Sequence, residues 1–248
     1  MKILIIIPTY NEIENIENLI NTIFSLHNDF TILVIDDGSP DGTAQKVMEL
    51  KQQLFNDRLF IECRPCKMGL GTAYIKGFQW GLERDYDYYF EIDADFSHNP
   101  NDLIRLLDKA CNEQFDVVVG SRYVKGGSIE GWPWERKFYS FGGSLFARII
   151  TWIPIKDTTA GFVCYRKSVL QKMNLNSIQQ KGYGFQIEMK FLAWKLGFKL
   201  TEIPILFKDR ILGTSKMSSK IIFEAFFNVL KMQYAYLMGK YLKEKSHE

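Results

Sequence analysis

The stretch KILIIIPTYNEIENIENLINTIF, residues 2–24, changes its periodicity half-way along. Residues 2–7 form a continuous apolar run behind one lysine, the pattern of a strand buried on both faces. From Ile13 the apolar positions Ile16, Leu19, Ile20, Ile23 and Phe24 recur at helical spacing. This is one βα unit, and the pattern repeats downstream. TILVID (31–36) reads as a second strand, followed by the turn-rich DGSPDG and a helix to about Leu54. RLFIEC (58–63) is a third strand, with a helix from Gly71 to Glu83 after it. YDYYFEID (86–93) is the fourth, a helix runs from Asn101 to Asn112, and FDVVVG (115–120) is the fifth. Such alternation predicts an α/β fold with a mostly parallel sheet flanked by helices, and ligands at the carboxyl ends of its strands.

Composition limits what the fold can serve. With 46% hydrophobic and 24% charged residues over 248 positions, the chain buries a substantial core and is neither disordered nor a disulfide scaffold. A net charge of +2 without a long basic run gives no reason to expect a nucleic acid partner. Cys63 and Cys66 lack a second close pair to complete a zinc set, so the four cysteines read as reduced thiols of a cytoplasmic protein. The amino terminus has no small-residue cleavage site and reads as a strand, not a signal peptide. No run of eighteen apolar residues predicts a spanning helix.

Polar groups follow four of the strands and fall on one rim. Pro8, Tyr10 and Glu12 follow the first; Asp36, Asp37 and Ser39 close the second; Asp93 and Asp95 close the fourth; Ser121 and Arg122 follow the fifth. Asp-Ala-Asp at a strand end brings two like charges together, and a divalent cation removes the conflict. Hard oxygen ligands select Mg²⁺ or Mn²⁺, whose remaining positions go to water and a phosphate-bearing substrate. Ser97 is placed to reach such a metal or its water, whereas His98 reads as a turn residue before Pro100. MGLGTA (68–73) matches neither the P-loop nor the dinucleotide fingerprint, which demotes kinases and dehydrogenases. Asp37 is placed to accept hydrogen bonds from a base or ribose, with Asp36 as a turn or cap residue.

The ordered set PTYNE, DDGSPDGT, GLGTA, DADFSHNP and GSRYVKGG resembles glycosyltransferase family 2 of the GT-A fold. More closely it resembles the polyprenol-phosphate (dolichol-phosphate) mannosyltransferases, through GWPWERKF, DTTAGFVCYR, GYGFQIEM and GTSKM, to about residue 218. The resemblance implies metal-dependent, inverting transfer of mannose from GDP-mannose to a polyprenyl phosphate. It implies that Pro8, Tyr10, Glu12, Ile35 and Asp37 hold the nucleoside, and that Asp93, Ala94 and Asp95 lie along the diphosphate. Asp93, Asp95 and Ser97 would hold the metal; Ser97 stands where some relatives have Gln, so its contact would run through water. Arg122 and Arg136 match arginines used toward the acceptor phosphate, and Arg210 and Lys216 match a loop that closes on the donor. Asp95, Arg122, Arg136 and Arg210 are thus the candidate catalytic residues. Gln186 and Glu188 are candidates for sugar hydroxyls, although GFQIEMKFLAWKLG also reads as an amphipathic helix.

Two apolar stretches bear on the acceptor. FYSFGGSLFARIITWIPI (138–155), broken by Gly142, Gly143 and Arg148, fits an isoprenoid groove, a headgroup-level helix or a core helix. Residues 219–248 mix Phe and Tyr with Lys220, Lys231, Lys240, Lys243 and Lys245, as an amphipathic helix at a membrane surface or on a small membrane-anchoring partner does. The expected organisation is a catalytic domain over 1–218 followed by that segment, peripheral on the cytoplasmic face of the membrane. A UDP-glucose or other sugar-nucleotide donor is the nearest alternative, and a non-catalytic nucleotide-sugar binding protein the more distant one.

Overall fold

The computed structural model describes residues 1–180, 182–209, 219–239 and 241. In chain order the elements are β1 (Ile3–Thr9), α1 (Ile13–Leu26), β2 (Phe30–Asp36), α2 (Thr43–Gln53), β3 (Leu59–Cys63), α3 (Leu70–Leu82), β4 (Tyr88–Glu91) and α4 (Asp102–Asn112). Next come β5 (Val117–Ser121), β6 (Ser128–Glu130), α5 (Trp134–Thr151), β7 (Val163–Arg166), α6 (Lys167–Lys172), α7 (Tyr183–Lys195), β8 (Leu200–Pro204), β9 (Leu206–Lys208) and α8 (Ser219–Leu237).

Seven strands form one sheet in the order β3-β2-β1-β4-β7-β5-β8. All neighbours are parallel except β7, which runs antiparallel between β4 and β5. The expected mostly parallel sheet is therefore present, with one reversed strand in its interior. Strands β6 and β9 pair separately beside it.

The sheet is covered on both faces, as the unbroken apolar run of β1 requires. Ile3, Ile5 and Ile7 pack with Ile16, Leu19 and Leu103 from α1 and α4. Leu4 and Ile6 alternate to the other face, where α3, α7 and α8 contribute Tyr74, Phe78, Phe185 and Val229. Helix α3 sits unusually close to the sheet. A Cβ at Gly77 would stand 2.7 Å from an Ile6 methyl, and one at Gly81 2.5 Å from the Tyr89 ring, so only glycine allows this approach.

Helix α7 differs from its sequence pattern. Residues 185–193 are all buried, Gln186, Glu188 and Lys190 among them, so the helix has no solvent face. Its polar residues are enclosed between the sheet and α8 rather than solvated.

Candidate active site

The carboxyl ends of β4 and β5 and the chain entering β7 meet at one cavity of about 390 Å³. Because β7 is reversed, its entrance (Thr159, Ala160, Gly161) lies on the same rim as Asp93, Asp95 and Arg122. The turn after β4 holds its carboxylates by local bonds. Ser97 N donates to Asp95 Oδ1 at 3.0 Å, and Phe96 between them adopts a left-handed φ of 58°, a sparsely populated conformation for a bulky residue. Ser97 and His98 are both buried behind this turn. His98 stacks on Phe162 and meets Phe207 edge-on, while its Nδ1 accepts a long bond from Asp93 N at 3.4 Å. Burial pushes its pKa down to about 4 against the opposing pull of Asp95, so the ring is a neutral wedge under the acids.

Both arginines reach the cavity, and both carry carboxylate partners. Arg122 donates through Nε and Nη2 to the two oxygens of Asp157 at 2.8 and 2.7 Å, its backbone N adds a third bond at 2.9 Å, and Nη2 also reaches Thr159 at 2.9 Å. Asp157 is wholly buried, and Arg122 nearly so. Arg136 donates to Asp209 at 3.0 Å and lies 3.9 Å over the Trp132 ring, whose Nε1 also reaches Asp209. Beyond the arginines the lining turns apolar, with Phe138, Tyr139 and Phe146 of α5 and Ile187 and Val229 opposite. Thus one end of the cavity is charged and the other is greasy.

The residues expected at the nucleoside lie on the neighbouring rim, after β1 and β2. Tyr10 is exposed, with the Lys67 ammonium 4.8 Å from its ring centre. Glu12 precedes α1 and bonds Asn15 Nδ2 at 3.0 Å, while Pro8 is half-buried. Asp36, the last residue of β2, anchors the turn that follows: its carboxylate takes the Thr9 hydroxyl and both the N–H and hydroxyl of Ser39. Asp37 is held instead by Arg64, through Nε and Nη2, in a buried ion pair that Thr72 extends at 2.7 Å. Ile35 is wholly buried in the core and Ala94 nearly so, leaving their side chains no access to a ligand.

Gln186 and Glu188 are not brought together. Two helical positions turn them roughly 200° apart. Gln186 lines the cavity, whereas Glu188 faces the other way, accepting the N–H groups of Gln179 and Gln180 and the Tyr241 hydroxyl. Burial raises its pKa against those bonds. Arg210 and Lys216 lie outside the described residues.

Arg64, Glu91, Asp157 and Lys190 are buried charged residues to which the sequence pattern assigns no role. Glu91, the last residue of β4, is wholly buried, and burial raises its pKa while Lys190 lowers it. Asp157 opens the DTTAG segment, and that position in an ordered motif was the available signal.

Residues 4–173 match the family model for glycosyl transferase family 2. The chain belongs to glycosyltransferase family 2. It is 45% identical over 228 residues to a polyprenol monophosphomannose synthase of Mycolicibacterium smegmatis, covering 92% of this chain and 85% of that protein. It is 44% identical over 231 residues to an undecaprenyl-phosphate mannosyltransferase of Micrococcus luteus, covering 93% of each. In fold it is similar to the glucosyl-3-phosphoglycerate synthase of Mycobacterium tuberculosis, crystallised with Mn²⁺, uridine diphosphate and phosphoglyceric acid. That match has a TM-score of 0.66 at 16% identity and covers 99% of this chain and 80% of the other. The sheet with helices on both faces is thus that of a known family 2 fold, and the cavity sits at its carboxyl rim.

Proposed function

We propose that this family 2 chain transfers mannose from GDP-mannose to a polyprenyl phosphate, inverting the anomeric carbon, at the surface of a membrane. The observation that carries the reading is the single cavity in which paired carboxylates, two arginines and an aromatic wall follow one another. A lipid phosphate has the same sequence of properties: an anion at one end and a hydrocarbon chain behind it. The names of the 44–45% identical relatives support the same substrate class.

The residues present fit a divalent cation. Among the described residues that line the cavity Asp93, Asp95 and Asp209 stand against Arg122 and Arg136, so acids outnumber bases by one (3 − 2). Mg²⁺ and Mn²⁺ take one or two protein carboxylates and fill the rest of their shell with water and substrate phosphate, which the Asp93 and Asp95 pair at the cavity suits. Asp93 and Asp95 would hold the ion, with Ser97 beside it, and its chemistry there is to stabilise charge growing on the leaving nucleoside diphosphate.

The chain's own residues perform the rest. A phosphate monoester is mostly dianionic at pH 7, its second pKa lying near 6, so no carboxylate is needed as a base for the acceptor. Arg136, on its Trp132 platform, presents a planar fork to phosphate, and Arg122 lines the cavity with one edge fixed by Asp157. Tyr10 and Asp37 with its partner Arg64 stand at the nucleoside end.

The surface beside the cavity suits a lipid acceptor. Neighbouring helices α5 and α8 expose Trp134, Phe138, Ile149, Tyr234 and Leu237, each more than half accessible. Apolar surface of this extent marks an interaction site. No helix among the described residues is long and apolar enough to cross a membrane, so attachment through this face would be peripheral.

Purified protein with GDP-mannose, Mg²⁺ and a polyprenyl phosphate should yield a mannolipid, and Asp95→Ala should lower turnover by about two to three powers of ten. Turnover with UDP-glucose and none with GDP-mannose would overturn the donor assignment. Full activity of Asp95→Ala in chelator would overturn the metal assignment.

A further inference from the structure

Helix α5 carries two adjacent glycines for which the fold supplies no reason. Gly142 and Gly143 lie half-way along Trp134–Thr151, in a helix interior where glycine is the poorest former after proline. Neither has the positive φ that would demand glycine. Packing does not demand it either. At Gly77 and Gly81 of α3 an added Cβ would run into the sheet, whereas at Gly142 and Gly143 it would meet nothing within 4 Å among the described residues, and both positions are exposed. Alanine at either place would fit and would strengthen the helix.

Both glycines do line the cavity, on the face of α5 that begins with Arg136. Arg136, Ser140 and Gly143 all line it and stand at helical positions i, i+4 and i+7, so one path along the helix joins the guanidinium to the glycines. Seven residues cover about 10 Å of helix. Beyond them the next turn puts Phe146 on the wall, with Ile187 and Val229 lining the same space.

The helix backbone is thus bare where the lining has turned apolar. Two missing side chains at that point let a narrow apolar ligand lie directly against the backbone, the use of glycine that neither φ nor packing accounts for here. Continuity with the charged end names the occupant. A hydrocarbon attached to a phosphate at Arg136 has this path in front of it.

We propose that Gly142 and Gly143 are specificity-determining residues for the acceptor, forming the saddle where its hydrocarbon chain crosses α5 about two helical turns from the phosphate. This rests on reading the cavity as the site of a polyprenyl phosphate. The test compares wild type, Gly142→Ala/Gly143→Ala and Gly143→Leu by calorimetry in GDP and Mg²⁺, alongside thermal midpoints. The probes are dimethylallyl phosphate, whose single isoprene unit ends short of the glycines, and farnesyl phosphate, whose three units reach them, kept below the concentration at which it forms micelles. The alanine pair should raise the thermal midpoint by about 2–8 °C and Gly143→Leu should not lower it. Farnesyl phosphate should bind about tenfold more weakly to Gly143→Leu and less severely so to the alanine pair, while dimethylallyl phosphate stays within about twofold in both. A gain in stability joined to a loss of long-chain affinity is the signature, since a purely structural role would move the two together. Unchanged farnesyl phosphate affinity in Gly143→Leu, an equal loss for both phosphates, or a lowered midpoint in the alanine pair would each overturn the proposal. A wild type that binds neither phosphate overturns the acceptor reading on which this rests, and one that binds both equally well overturns this proposal alone.

Discussion

Asp157→Ala isolates the Arg122 pair. The aspartate has no exposed side-chain surface, and it gives two oxygens to three N–H groups of Arg122, whose own side chain is only 8% exposed. Alanine removes the counter-charge from a guanidinium that is nearly buried. Breaking a buried pair from one side costs about 3–5 kcal/mol. For a chain of this size each kcal/mol moves the thermal midpoint by about 2–4 °C, so the variant should melt roughly 6–20 °C lower. Urea unfolding followed by circular dichroism gives the free energy directly, and an unchanged denaturant slope would show that the native state alone was affected. The partner double variant, Arg122→Met with Asp157→Leu, should recover most of that stability while turnover stays lost, because both desolvation costs are then gone. A loss below about 1 kcal/mol for the single variant, the range of an exposed pair, would refute the claim that Asp157 compensates Arg122.

Gly81→Ala should cost about 1–3 kcal/mol in urea unfolding, because the new methyl would stand 2.6 Å from a Leu4 methyl and closer still to the Tyr89 ring; no change would mean that α3 shifts freely. Burial raises the Glu188 pKa, so the folded chain holds that proton at pH values where the unfolded chain has released it. The sign follows: the stability this carboxyl contributes declines as pH rises through the range above about 4.3, and Glu188→Gln should flatten that slope. Unfolding free energies at several pH values check this, and a wild type that gains stability over the variant with rising pH would contradict it. Replacing Trp134 and Ile149 of α5 by Ser should reduce co-sedimentation with anionic lipid vesicles about tenfold, with activity on a short-chain, water-soluble acceptor preserved; equal binding would remove α5 from the membrane contact.

The sheet was legible because its strands carry unbroken apolar runs, a pattern that depends only on local sequence. Asp93 and Asp95 were legible for a related reason, since two carboxylates at a strand end need an explanation wherever the chain folds. The antiparallel direction of β7 was not, because VCYR is four residues long and direction is set by which neighbours it joins. Nor were the buried charges. Arg64, Asp157 and Lys190 look like ordinary surface residues in sequence, and only the packing of distant segments takes their water away. Helix α7 shows this most clearly: the lysine and glutamate that suggested a wet face are satisfied by a carbonyl of another segment and by the amides of the loop before the helix.

Strand β7 has a consequence during synthesis. When β5 leaves the ribosome, neither of its partners in the sheet exists yet, since β7 and β8 are both made later. Until they emerge, β4 keeps an unpaired apolar edge and β5 has no sheet to join, a state prone to sticking to other nascent chains. The molecule should therefore gain protease resistance in one late step, when the reversed strand zips the two halves together.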